Sequence, residues 1–149
     1  MKDSYMPNSD ISFLIKKLDN HILRNIHALY DRREFQECSL MNMWVADFLF
    51  DMQQQERVIF QKDVEAEFSI NRATASKMLS LMEKKKLIRR TSHPNDSRLK
   101  QIELEPRGLE LHELCCYIQE EIEKQFTACL TEDEKELFKE LCFRMLQNT

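Results

Sequence analysis

The spacing of apolar residues divides the chain into three stretches. Between Ile11 and Tyr30, Ile11, Leu14, Ile15, Leu18, Ile22, Ile26 and Leu29 recur at intervals of three and four, with Lys16, Lys17, Asp19 and Arg24 between them. Phe13 and Leu23 widen the stripe. This spacing predicts a long amphipathic helix whose apolar face is broad enough for more than one neighbour, a partner subunit included. A second helix is expected from Leu40 to about Gln53, with Ser39 as its N-cap and Met43, Trp44, Phe48 and Met52 keeping the helical period. A polar break over 53–57 ends it.

The middle stretch changes character twice. Val58-Ile59-Phe60 is a short β-branched and aromatic run, and Gln61 to Phe68 reads as a short helix with Val64 and Phe68 four apart. Ser69-Ile70-Asn71 follows as a turn, with Asn71 placed to cap the next helix by accepting a backbone N–H two or three residues on. That helix aligns Ala75, Met78, Leu79 and Met82 on one face and presents Arg72, Thr74, Ser76, Lys77 and Ser80 on the other. Two short helices across a tight turn, the second with a face of small hydroxyls and cations, predict a helix-turn-helix over 61–85. Small hydroxyls let such a helix sink into the major groove while Arg and Lys reach phosphates or guanine edges. Beyond it, Leu87 to Thr91 and Leu99 to Leu104 read as strands around the turn-rich 92–98, a hairpin wing over 87–104.

In the last third, Leu109, Leu111, Leu114, Cys115, Ile118, Ile122, Phe126 and Cys129 extend one helical stripe, and Thr131 to Glu134 forms a capping box. A last helix follows with Leu137, Phe138, Leu141, Cys142, Met145 and Leu146. The two chain ends hold more apolar surface than one winged helix covers. The expected architecture is therefore mainly α with a small β-hairpin, as a single domain over 1–149. A winged helix-turn-helix at about 39–105 is flanked by dimerisation helices at about 9–33 and 106–148, each enclosing residues of a two-fold partner.

Composition narrows the function. The 149 residues include one glycine, Gly108, so neither a dinucleotide-binding nor a P-loop glycine cradle is present. The longest apolar run, Leu114 to Ile118, is far short of a membrane span, and the first ten residues lack the apolar segment of a secretion signal, so a cytoplasmic protein is expected. The net charge of −4 hides a strong asymmetry. Residues 71–100 carry 9 basic and 2 acidic side chains, against 8 and 12 in residues 1–70 and 5 and 12 in residues 101–149. A basic island in an acidic chain suits a nucleic-acid reader, because the acidic remainder repels DNA everywhere else.

These residues together carry a resemblance. Gln61-Lys62-Asp63-Val64, the run Asn71 to Leu79, Met82 to Arg90 and the wing signature Asp96-Ser97-Arg98 resemble the MarR family of winged-helix transcriptional regulators, and the order of elements agrees over nearly the whole chain. The resemblance implies a homodimer on pseudo-palindromic double-stranded DNA, mostly a repressor, released by a small aromatic or amphipathic effector. It implies DNA contacts from Arg72, Thr74, Ser76, Lys77 and Ser80, with Arg98 in the minor groove and Asp96 holding it. It also implies an effector cavity among the first, second and fifth helices, which makes His21, Trp44, Phe48 and His112 candidate pocket residues. The chain departs from the family at Lys86 and Ser69, where glycines are usual, at Glu65 in place of a small residue, and at Glu105, a weaker helix cap than threonine.

Other chemistry is less well supported. His21, His27, His93 and His112 form no H-x-x-x-H or H-E-x-x-H pair, so neither a metal site nor a cofactor is expected, and His93 is expected in solvent on the wing. No nucleophile and base stand at catalytic spacing, so no enzyme is expected. The five cysteines lack C-x-x-C spacing and are read as reduced, mainly buried thiols. Cys115 and Cys116 point about 100° apart on a helix, so one faces the core. Acidic surroundings disfavour a thiolate there, and no peroxide-sensing role is expected. The rival reading is a winged-helix protein-interaction module without specific DNA binding.

Overall fold

The computed structural model describes residues 10–29, 35 and 38–149. Its elements are α1 (Ile11–Leu29), α2 (Leu40–Gln54), α3 (Gln61–Phe68), α4 (Arg72–Lys84), β1 (Ile88–His93), β2 (Asp96–Leu104), α5 (Pro106–Thr127) and α6 (Glu132–Gln147). They fall into two compact units: Met1–Tyr30 with Ile118–Thr149, and Asp31–Tyr117. Residues 106–117 of α5 thus group with the winged helix. No described helix is long and apolar enough to cross a membrane.

Local chemistry sets the helix starts. Ser39 accepts the Asn42 N–H at 3.2 Å while the Asn42 side chain accepts the Ser39 N–H at 3.1 Å, a reciprocal capping box. Asn71 Oδ1 accepts the Thr74 N–H at 2.8 Å, and Thr131 and Glu134 exchange bonds of 3.1 and 2.8 Å. At the start of α3, which has no Ser, Thr or Asn cap, Asp63 Oδ2 accepts the Phe60 N–H at 2.8 Å.

Helix ends in the winged-helix unit follow a less usual rule. Glu56, Ser69 and Lys86 have φ of 56°, 53° and 63°, the left-handed conformation that glycine adopts without penalty. After α4 the Lys86 N–H bonds to the Glu83 carbonyl and the Leu87 N–H to the Met82 carbonyl, both at 3.0 Å, with Met82 and Leu87 fully buried. This is a complete Schellman closure with lysine at the glycine position. The same pair of bonds closes α2, from Glu56 to Gln53 and from Arg57 to Met52. Each non-glycine residue held there costs roughly 1 kcal/mol.

The single glycine has a different task. A Cβ on Gly108 would lie 2.1 Å from the Leu87 carbonyl oxygen and 2.7 Å from Leu104 Cδ2. The first turn of α5 therefore lies directly against the α4–β1 junction, where the Leu87 carbonyl also accepts the Glu105 N–H at 2.9 Å. Arg107 reinforces the contact by donating to the Lys85 carbonyl at 2.6 Å.

The core of this unit is built from Met43, Val45, Ala46 and Leu49 of α2, Val64 of α3, Ala75, Leu79 and Met82 of α4, and Leu87, Ile88, Ile102, Leu111 and Cys115. β1 and β2 pair antiparallel from Ile88↔Leu104 to Ser92↔Lys100, with an irregularity before His93↔Asp96. The strands therefore run into the stretch expected as a loop over 92–98. Val58-Ile59-Phe60 forms no strand, but the Ile59 carbonyl accepts the Ile102 N–H at 2.8 Å and ties this stretch to the hairpin.

In the other unit Ile26, Ile118 and Ile122 are buried, whereas no residue of α6 is. Ile11, Leu14, Leu18, Phe138, Leu141 and Met145 line an apolar groove of about 680 Å³. Two cysteine expectations need correction. Only Cys38 and Cys115 are buried, while Cys116 and Cys129 are exposed and Cys142 is half-buried. Cys129 also lies beyond the end of α5, in the turn that separates it from α6, so it is not part of that helical stripe.

Candidate nucleic-acid interface

Helix α4 separates its two faces cleanly. Ala75, Leu79 and Met82 are buried, and Arg72, Thr74, Ser76, Lys77 and Ser80 are all exposed. The Asn71 cap fixes where α4 begins, and hence which residues of its first turns point outward. Ser69 in the left-handed conformation turns the chain between α3 and α4.

The wing adds its own cation. Asp96 Oδ1 accepts the Arg98 backbone N–H at 3.0 Å and its Nε–H at 3.1 Å, while Oδ2 accepts Nη2–H at 3.2 Å. Hydrogen bonding from the Arg98 guanidinium, and then from its backbone, holds the Asp96 carboxyl below the usual aspartate range. The Arg98 side chain is nevertheless 89% exposed, so it is oriented without being covered. At the other end of the hairpin Arg89 pairs with Glu103 across the strands at 2.7 Å.

A contact not foreseen in the sequence joins wing to helix. Glu83 accepts the Arg90 backbone N–H and its Nη2–H, each at 3.1 Å, and Arg90 also donates to Ser80 Oγ at 3.3 Å. The hydrogen bond from the Arg90 side chain is the main cause of a lowered Glu83 pKa. One of only two acids in the basic island thus clamps β1 to α4. Glu83 and Arg90 lie in different elements on either side of the left-handed turn at Lys86, so periodicity within one element gives no signal for the contact.

Lys62, Arg72, Arg90, Arg98 and Lys100 come together around a cleft of about 240 Å³, lined also by Gln61 and Glu65. Four segments therefore contribute cations to one surface feature: α3, the start of α4, β1 and the wing. His93, expected in solvent, is half-buried with its ring 5.7 Å from that of Phe60, and its Nδ1 accepts the Asn95 N–H at 3.1 Å. Lys84 and Lys86 are exposed at the end of α4.

The pocket candidates are more scattered. His21 is exposed on α1, in the unit formed by the chain ends. Trp44 is half-buried on α2, and Phe48 packs edge-on against Phe68 with ring centroids 5.8 Å apart. His112 is buried, stacked on Phe50 at 3.9 Å, and bonded to Asp47 at 3.0 Å.

Residues 42–99 match the model of the MarR family. Among solved structures, the chain is similar to MepR from S. aureus in complex with DNA, at 25% identity and TM-score 0.80, covering 94% of this chain and 98% of that one. It is similar to the transcription regulator MarR from Oenococcus oeni PSU-1 at 25% identity and TM-score 0.72, covering 93% and 99%. The PcaV transcriptional regulator from Streptomyces coelicolor, in complex with its natural ligand, shares the fold at 17% identity and TM-score 0.77, covering 97% and 96%. No curated protein matches the sequence. With its exposed α4 face and its Asp96–Arg98 wing, the chain matches the MarR family of winged helix-turn-helix regulators over residues 42–99 and shares the fold of MepR and of the Oenococcus oeni MarR over almost its whole length.

Proposed function

We propose that the protein is a sequence-specific DNA-binding repressor that acts as a homodimer on a pseudo-palindromic operator and is released by a small aromatic or amphipathic effector. In this reading α4 enters the major groove, where Arg72, Thr74, Ser76, Lys77 and Ser80 meet bases and phosphates, and Arg98 enters the adjacent minor groove. The observation that carries it is the cleft at which Lys62, Arg72, Arg90, Arg98 and Lys100 converge. Cations from separate elements gathered on one side of the winged helix match a polyanion better than a solvated surface requires. MepR has been solved with DNA, which favours the same partner here.

Dimerisation is supported by apolar surface that one chain leaves uncovered. Ile11, Ile15, Leu137, Phe138, Phe143 and Leu146 are each at least 47% exposed. Soluble monomers rarely keep so much contiguous apolar surface in water, and a second copy is the natural cover. PcaV was solved with a natural ligand, and Trp44, Phe48 and His112 are the candidates for effector contact in the winged-helix unit of this chain.

Selection of genomic fragments by the purified protein tests the reading. It expects an inverted repeat with half-sites about one helical turn, roughly 10 bp, apart, and affinity that falls steeply with salt. Fragments recovered without a shared motif, or a folded monomer in sedimentation at micromolar concentration, would sink it.

A further inference from the structure

Three metal-ligating side chains converge in the winged-helix unit, away from the basic cleft. Asp47 comes from α2, and His112 and Cys116 come from consecutive turns of α5. Residues four apart lie on one helix face, so the sequence already pairs His112 with Cys116; Asp47, sixty-five residues before His112, is added by packing. The distances are 3.0 Å from Asp47 Oδ1 to His112 Nδ1, 3.8 Å from Asp47 Oδ1 to Cys116 Sγ, and 3.8 Å from Cys116 Sγ to His112 Nδ1.

We propose that Asp47, His112 and Cys116 form a binding site for a divalent cation of borderline softness, zinc above all. With Zn–O and Zn–N bonds of about 2.0 Å, a Zn–S bond of about 2.3 Å and tetrahedral angles, the donor atoms should stand roughly 3.3 Å (O to N), 3.5 Å (O to S) and 3.5 Å (N to S) apart. Each observed separation is within about 0.3 Å of that triangle, so side-chain rotations of a few tenths of an ångström seat an ion. Cys116 Sγ also lies 3.8 Å from His112 Nε2, so the thiol is within reach of either ring nitrogen.

The surroundings suit an ion. The imidazole is held by its stack on Phe50, with ring planes 17° apart, so the ligand direction is fixed before binding. The His112 side chain is 10% exposed, that of Asp47 is 27% exposed and Cys116 faces solvent, which leaves an entry path and a fourth position for water. Burial first, and then the negative charges of Asp47, Asp51 and Glu113, raise the Cys116 pKa. A dication reverses that balance, because the carboxylates that oppose a bare thiolate attract the ion. On binding, Cys116 releases its proton to solvent and the imidazole carries its own on Nε2, leaving Nδ1 for the ion. An aspartate, a histidine and a thiolate favour zinc over magnesium or calcium, which take oxygen ligands.

The full-length protein, stripped with chelator and titrated with cobalt(II) under reducing conditions, tests the site. It expects one equivalent bound per chain, a thiolate-to-cobalt charge-transfer band in the near ultraviolet, and tetrahedral ligand-field bands in the visible, all displaced by zinc. Cys116→Ser removes the charge-transfer band, and Cys129→Ser, at an exposed cysteine outside the cluster, keeps it. Asp47→Asn weakens zinc by more than the roughly tenfold that losing a supporting contact costs. Unchanged far-ultraviolet circular dichroism shows that each variant is folded. No charge-transfer band in the wild-type protein, a band that survives Cys116→Ser, or an Asp47→Asn affinity equal to wild type would each overturn the site.

Discussion

Asp96 grips Arg98 from two residues away, with one oxygen on Nε and the backbone N–H and the other on Nη2, so the wing cation is aimed by an acid in its own turn. Such a carboxylate should oppose DNA by simple charge and assist it by orientation, and the two effects have opposite signs in a binding measurement. If Arg98 enters a minor groove, Arg98→Ala should cost about 1–3 kcal/mol, most on operators with A·T-rich flanks, where the groove is narrow and its potential most negative. Asp96→Ala should weaken binding in the same sequence-dependent way. Tighter binding by Asp96→Ala in fluorescence anisotropy would show that orientation is worth less than the removed charge.

The same pair predicts a pH response. Because Arg98 lowers the folded-state pKa of Asp96, the pair contributes fully at pH values above the ordinary aspartate range and is lost as pH falls through the lowered value. Carboxyl ¹³C NMR should give Asp96 a midpoint below that of an unperturbed aspartate, and Arg98→Met should move it up. An unchanged midpoint in Arg98→Met would mean that the contact is not kept in solution.

Lys84 should act by charge alone. It is exposed at the end of α4, where a lysine would meet phosphates if α4 enters a major groove, so Lys84→Ala should then weaken all sequences similarly and reduce the salt slope by about one. A loss confined to particular operator bases would instead make it a reader.

Gly108→Ala should destabilise the protein by about 3 kcal/mol in denaturant unfolding. The added methyl meets a backbone carbonyl at 2.1 Å, and that carbonyl is fixed by the Schellman closure and by its bond to Glu105. A loss well under 1 kcal/mol would show that α5 can shift away from the α4–β1 junction.

Lys86→Gly should do the reverse. Relief of the left-handed conformation gains roughly 1 kcal/mol, partly offset by the greater freedom of glycine in the unfolded chain, so a net stabilisation of up to about 0.5 kcal/mol is expected. Thermal unfolding at matched concentration would measure it, and a lower midpoint would contradict the strain argument.

Sequence alone determined the parts of this protein that depend on neighbours in the chain. The bounds of α3, the caps at Ser39, Asn71 and Thr131, and the separation of Ala75, Leu79 and Met82 from Arg72, Thr74 and Lys77 all follow from helical period and short-range hydrogen bonding. Asp96 and Arg98 are legible for the same reason, being two residues apart in one turn. Tertiary structure decided what depends on approach between distant segments. The close packing of Gly108 on Leu87, the half-burial of His93 against Phe60, the Glu83 clamp on Arg90 and the meeting of Asp47 with His112 and Cys116 join residues of different segments. Each exists because the core brings two backbones together at a particular distance, and a one-dimensional pattern of apolar residues fixes which faces are buried without fixing which side chains then touch.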